Sequence, residues 1–217
     1  MRGGFEMQPL THHEGIVVPM DRGNIDTDAL LPKQYLKSLE SRGFGTFLLD
    51  DERYLDPGEL DTTPASRREN PQCVLNMPVY RRASVVLARA NFGCGSSREH
   101  AVWALRDFGI RVLIAPSFGD IFFTNCFNNG LLPIRLPQSV IGHFFAQCRQ
   151  SHGVTASVDV ARRELTLGDT HLVFDLDVGR QRNLLQGLDN IGESLALTPT
   201  IRAYETARQL SEPWVFR

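Results

Sequence analysis

The sequence predicts an α/β protein built on a largely parallel sheet, and two observations carry that expectation. Along the middle of the chain, at 84–108, 111–129 and 131–151, a short apolar run is followed each time by an amphipathic stretch with helical spacing. From Val154 the apolar period changes to two, through Val154, Ala156, Val158 and Val160, then Leu165 and Leu167, then Leu172, Phe174 and Leu176. Strands alternating with helices of about ten residues imply parallel neighbours joined by right-handed crossovers. The later segment, with Gly168-Asp169 as a turn, reads as a β-hairpin or small meander. At 217 residues the chain can bury a real core, and no linker demands a second domain.

The elements follow in order. Residues 1–14 carry no apolar core of a secretory signal and are expected to be a flexible leader, with the single domain at 15–217. Residues 15–20 (GIVVPM) are a short buried strand closed by Pro19. The polar loop 21–28 holds three aspartates. A calcium loop would need the EF-hand glycine and terminal Glu, which are missing. Either its Asp and Thr side chains cap the next helix, or Asp26 or Asp28 orients a cationic group near the turn at 91–100. Pro32 suits a first helical turn over 32–39, with Lys33 and Lys37 four apart, and Gly43 and Gly45 break it. Residues 29–45 thus read as a mobile flap, with Lys33 and Lys37 as substrate ligands or as a solvated face. Residues 56–72, nearly devoid of apolar side chains, read as a surface excursion.

The densest chemistry lies at 91–100, NFGCGSSREH, between a strand at 84–90 and a helix at 101–108 whose Ala101, Leu105 and Phe108 share a face and which Gly109 ends. Gly93 and Gly95 allow positive φ and close approach of a ligand, and Ser96 or Ser97 is a good N-cap. Free N–H groups and the helix dipole favour a bound anion there. The pattern is neither G-x-S-x-G nor a P-loop, although G-x-G-S-S could still cradle a phosphate. Arg98 in the first helical turn tips the balance towards a carboxylate, which its fork can bind with two hydrogen bonds. Glu99 and His100 project away from Arg98 and read as structural. The hydroxyls and Arg98 explain the turn without invoking Cys94 as a nucleophile.

Beyond it, 111–115 is a buried strand, and Ser117 with Asp120 resembles a capping box for a helix ended by Gly130. The stripe Phe118, Phe122, Phe123, Phe127 reads as core. Asp177 should cap a helix over 178–188, and Thr198-Pro199 should open a last helix to about Leu210. A net charge of -2 gives no reason to expect nucleic acid or an acidic membrane surface, and no apolar run is long enough to span a membrane. Four cysteines spaced more than twenty positions apart make neither a zinc nor an iron–sulfur motif, so no metal is expected on this chain and reduced, cytosolic thiols are.

The motif NFGCGSSREH, together with NIDTDALLPKQYL, IAPSFGDIFFTNCFNNGLLPI and GLDNIGESL in that order, resembles the small subunits of 3-isopropylmalate dehydratase in the aconitase superfamily, over about residues 13–215. The resemblance implies a swivel-type domain: a largely parallel sheet or barrel flanked by helices, with a C-terminal hairpin and helices. It implies a cytoplasmic hydro-lyase of leucine biosynthesis, active only with a large subunit that carries a [4Fe-4S] cluster. 2-Isopropylmalate would lose water to isopropylmaleate, which is rehydrated to 3-isopropylmalate. It further implies that Ser96 is the base that takes the carbon-bound proton, and that Ser97 and Arg98, beside Gly95, bind a substrate carboxylate. The flap, with Lys33, Tyr35, Leu36 and Lys37, would recognise the substrate's side group. A homoaconitase-type subunit acting on another substituted malate, a non-catalytic phosphosugar- or nucleotide-binding domain, and a purely structural subunit are the alternatives.

Overall fold

In the computed structural model, which describes residues 7–38, 40 and 42–216, seven strands form one sheet. β1 (His12–Met20), β2 (Val85–Ala88), β3 (Val112–Ala115) and β4 (Leu132–Arg135) run parallel, each pairing with the next. β5 (Thr155–Asp159), β6 (Glu164–Leu167) and β7 (Thr170–Val173) continue antiparallel from the other edge of β1, giving the order β4-β3-β2-β1-β5-β6-β7. The expected α/β architecture is present, and the period-two segment is the antiparallel half of the same sheet.

β2 and β3 are buried along their whole length because helices cover both faces, which is why they read as continuous apolar runs. On one face Val18, Val86, Ala88, Leu113 and Ala115 pack against α3 (His100–Phe108) and the flap segment. On the other, Val17, Val85, Leu87, Val112 and Ile114 pack against Ile141, Phe144 and Phe145 of α5 (Gln138–Gln150). α4 (Asp120–Asn128) serves both, with Phe122 and Cys126 on the first side and Phe127 on the second. The aromatic stripe is core, as its spacing indicated. Gly109, at φ 110°, ends α3 in the left-handed conformation expected of it.

Several boundaries differ from expectation, each for a local reason. The flexible leader does not extend to residue 14. Met7 and Leu10 are buried, and β1 starts at His12, where residues 12–16 pair with β5; residues 1–6 lie outside the described residues. The stretch after Pro32 is a 3-10 turn, Lys33–Lys37, and not an α-helix. α4 starts at Gly119-Asp120 without a side-chain cap, because the Ser117 hydroxyl instead accepts the Asn91 N–H at 2.9 Å. Asp177 caps α6 (Val178–Gln186) as expected, through the Arg180 N–H at 3.0 Å. An unforeseen helix, α7 (Asn190–Ala196), is capped by Asp189. It runs into α8 (Thr198–Ser211), where Thr198 bonds back to the Leu195 carbonyl and does not cap. Among the described residues no helix is long and apolar enough to cross a membrane.

The segment 56–72 is mostly exposed but is not only a surface excursion. Its Arg67 side chain is 4% exposed and meets Asp50, fully buried at the start of α2 (Asp50–Arg53), with Nη1–Oδ1 at 2.6 Å and Nη2–Oδ2 at 2.8 Å. The Tyr35 hydroxyl donates to Asp50 Oδ2 at 2.7 Å, Arg67 also bonds the Asp56 carbonyl, and its guanidinium lies 4.0 Å over the Tyr54 ring. Burial and the adjoining carboxylate push the Tyr35 hydroxyl well above its usual range, so it stays a donor. Such a pair is tolerated inside a protein only when both ions are saturated with partners, which is the case here. Arg67→Met strands the Asp50 carboxylate and should lower the unfolding free energy by about 3–5 kcal/mol in urea titrations. Asp50→Asn combined with Arg67→Met should recover part of that loss.

Candidate active site

The loops that follow β1, β2 and β3 lie side by side at the carboxyl end of the parallel strands, the usual place for ligands in open α/β sheets. They are joined main chain to main chain. Gly93 N–H donates to the Ile25 carbonyl at 2.7 Å, Thr27 N–H to the Cys94 carbonyl at 2.9 Å, and Gly119 N–H to the Phe92 carbonyl at 2.9 Å. Gly93 has φ 73°, and a Cβ there would overlap the Phe122 ring. Gly95, at φ 104°, turns the chain again beside Thr27.

The two serines do not cap α3, contrary to expectation. The helix begins at His100, with Glu99 at the cap position, because the Ser96 hydroxyl is engaged inside the turn, where it accepts the Arg98 N–H at 3.2 Å. Arg98 accordingly precedes the helix and does not lie in its first turn. Ser96 is half-buried, whereas Ser97 and Arg98 are exposed. Among the described residues no carboxylate pairs with Arg98 and no acceptor takes the N–H groups of Gly95 and Ser97. The turn therefore offers a free guanidinium and two free N–H donors beside two hydroxyls, a set suited to an anionic ligand with oxygen atoms.

The loop after β1 supplies the facing wall. Asp26 accepts the Ala29 N–H at 2.7 Å and caps α1 (Thr27–Leu30), so the capping reading of this aspartate holds. Asp28 pairs with Lys33 at 3.2 Å, an exposed contact. Leu36 and Leu31 face Ser96, Arg98 and His100 across a cleft so narrow that about 10 Å³ is free, the room of one water. Lys37 is exposed. Tyr35 is not available to a ligand: its ring is fully buried and its hydroxyl is held by Asp50. Leu39 and Ser41, within the span expected to form the flap, lie outside the described residues.

His100 lines the same cleft but is packed between Phe44 and Trp103, at ring-centroid distances of 5.4 and 4.6 Å. Burial, reinforced by the Arg98 charge and opposed by Glu99, lowers its pKa, so the ring is neutral at pH 7. Its buried Nδ1 has no hydrogen-bond partner among the described residues.

Two residues bordering the turn escaped the sequence reading. Thr27 Oγ1 accepts the Ser96 N–H at 2.9 Å, and Asn125 Nδ2 donates to the Ser97 carbonyl at 3.3 Å. A signal for Asn125 existed: it sits between Phe122 and Cys126 on the apolar face of its helix, where a polar side chain needs a buried partner.

The described residues hold no group of three or more His, Cys, Asp or Glu placed to bind a metal ion. Cys73, Cys126 and Cys148 are buried free thiols whose pKa burial raises, to about 11 for Cys148, so none presents a ready thiolate. These donors do not fit an iron–sulfur cluster.

Comparison with known proteins accords with this geometry. Residues 7–139, which include the glycine turn and the loops beside it, match the aconitase C-terminal domain family. The chain is 53% identical to a 3-isopropylmalate dehydratase small subunit of Methylibium petroleiphilum, over 96% of this chain and 97% of that one. It is 51% identical to the corresponding subunit of Marinobacter nauticus, over 97% and 98% of the two chains. The crystal structure of a 3-isopropylmalate dehydratase from Methanocaldococcus jannaschii shares the fold, with a TM-score of 0.60 at 24% identity, over 89% of this chain and 99% of that one. Near-complete coverage at half identity, on a fold whose glycine turn faces its flap, places the chain in the family of 3-isopropylmalate dehydratase small subunits, built on the aconitase C-terminal domain.

Proposed function

We propose that this chain is half of the active site of a hydro-lyase that interconverts 2-isopropylmalate and 3-isopropylmalate through isopropylmaleate. Its share is the carboxylate-binding and proton-transfer groups. The observation that carries the proposal is the Arg98 guanidinium, without a carboxylate partner among the described residues, next to Ser96 and Ser97 on a turn fixed by two glycines. In this reading the Arg98 fork and the Ser97 hydroxyl, with the free N–H of Gly95 and Ser97, hold a substrate carboxylate. Ser96, which lines the cleft, takes with its hydroxyl the proton from the carbon next to that carboxylate and returns it during rehydration. The apolar Leu31 and Leu36 suit an isopropyl group better than the further carboxylate of a homoaconitate-type substrate, because an ionised group facing them would be left without a partner.

Magnitudes favour a shared site. Making a serine hydroxyl an effective base near pH 7 means lowering its pKa by about six units, roughly 8 kcal/mol at 1.36 kcal/mol per unit. A helix N-terminus contributes about 0.3–2 kcal/mol and fades within its first turn, and α3 begins four residues after Ser96. Arg98 and the free N–H groups add a few kcal/mol more once water is excluded. The remainder is assigned to a large-subunit partner and to closure of the flap. The [4Fe-4S] cluster implied by the family belongs on that partner, since the donors of this chain do not fit one. Its four free thiols support a cytoplasmic location for this biosynthetic enzyme.

Ser96→Ala should lower turnover of the reconstituted complex by about 10²–10⁴-fold while co-purification with the large subunit is unchanged. Undiminished turnover would remove Ser96 as the base. Arg98→Lys should raise KM about tenfold or more with a smaller effect on kcat, because an ammonium cannot reproduce the two-pronged contact. The purified chain alone should show no isopropylmalate dehydration by isopropylmaleate absorbance, and measurable activity without a partner would contradict the shared site.

A further inference from the structure

We propose that Thr27 and Asn125 are positioning residues for the reaction, holding the two ends of the Ser96-Ser97 dipeptide; this rests on the reading of Ser96 as the base. Residues 96–98 belong to no helix or strand. Among the described residues, the main chain of the two serines makes two hydrogen bonds to the rest of the molecule, Ser96 N–H to Thr27 Oγ1 at 2.9 Å and Asn125 Nδ2 to the Ser97 carbonyl at 3.3 Å. Both grips are side chains at or below 8% exposure, reaching from elements far apart in the chain.

Each grip is itself held. Thr27 opens α1, its N–H is bonded to the Cys94 carbonyl, and its own carbonyl accepts the Leu31 N–H at 3.0 Å. Gly95 lets it approach, since a Cβ there would lie 3.2 Å from the Thr27 hydroxyl. Asn125 sits within α4, and its carbonyl accepts the Asn129 side-chain N–H at 2.9 Å. Asn129 Oδ1 accepts from Arg106 at 3.2 Å, Arg106 pairs with Asp107, and Asp107 Oδ2 accepts the Phe44 N–H at the end of the flap, at 3.1 Å. This polar chain runs from the serine turn to the base of the flap.

The chemical consequence is directional. With both ends of the dipeptide held, the Ser96 hydroxyl keeps one orientation relative to a carboxylate bound at Arg98. A displacement of about 1 Å at a reacting group can cost roughly 10²-fold in rate. The Ser96 N–H, engaged by Thr27, is not a substrate donor, which leaves anion binding to Gly95, Ser97 and Arg98. Loss of either grip should therefore appear in kcat and leave KM nearly intact.

The test compares Thr27→Val, which keeps the shape and removes the acceptor, with Thr27→Ser, which keeps the acceptor. Asn125→Leu and Ser96→Ala are assayed alongside, all in complex with the large subunit and with co-purification as the check on folding. Thr27→Val and Asn125→Leu should each lower kcat about 10- to 100-fold with KM within about twofold, and Thr27→Ser should recover most of the loss. If Thr27→Val does not assemble, Thr27→Ala and Asn125→Ala carry the same expectation. Wild-type kcat in the Val and Leu variants, equal changes in kcat and KM, or a Thr27→Ser defect as large as that of Thr27→Val would each overturn the positioning role. If Ser96→Ala is inactive while Thr27→Val is fully active, only the positioning role fails. If Ser96→Ala is fully active, the base assignment fails, and the positioning role with it.

Discussion

The site depends on one constraint, the absence of a side chain at Gly93. Its N–H reaches the Ile25 carbonyl while the Phe122 ring fills the space a Cβ would occupy. That contact joins the loop after β1 to the loop after β2, and with it the parallel pairing of the two strands continues past their ends. Most of the groups proposed to act are then carried on the joined loops, Thr27 on one and Gly95 to Arg98 on the other, with Asn125 reaching in from α4. A larger residue would have to displace either the aromatic core of α4 or the loop of β1, and in both cases the serines would lose their support.

A second buried interaction governs the flap. Tyr35, Asp50 and Arg67 come from three segments that share no regular structure, and their mutual hydrogen bonds satisfy charges that could not otherwise be buried. The effect is to seat residues 29–38 over the turn, with Leu36 facing Ser96 and Arg98. Asp107 holds the other end of the flap through the Phe44 N–H. The cleft left between flap and turn is smaller than any substituted malate, so a substrate can enter only if these groups separate or if the ligand is received at the mouth.

Much of the fold was legible because its signals are local. Three strand–helix units, the change of period at Val154, the cap at Asp177 and the left-handed stop at Gly109 each depend on residues within a few positions of one another. The errors share a cause. Ser117 and Ser96 carry good capping chemistry, yet each hydroxyl is used elsewhere, by the Asn91 N–H and by the Arg98 N–H. Residues 7–14 lack a strong apolar pattern, yet their few apolar side chains and a free edge on β5 order them. Arg67 lies in a run of polar residues and is buried because its partner is seventeen positions away.

By itself the sequence determined the alternating architecture, the glycine turn with its hydroxyls and guanidinium, and, through four collinear motifs, the family. These are properties of neighbouring residues, set by backbone sterics, periodicity and side-chain chemistry. Only the tertiary structure decided which groups meet: that Asp26 caps and Asp28 faces Lys33, that Tyr35 turns inward, and that Thr27 and Asn125 close on the two serines from α1 and α4. Hydrogen bonds between residues 28 or 69 positions apart depend on how the strands are ordered in the sheet. No spacing within a motif encodes that order, because it is the packing of both sheet faces that selects it.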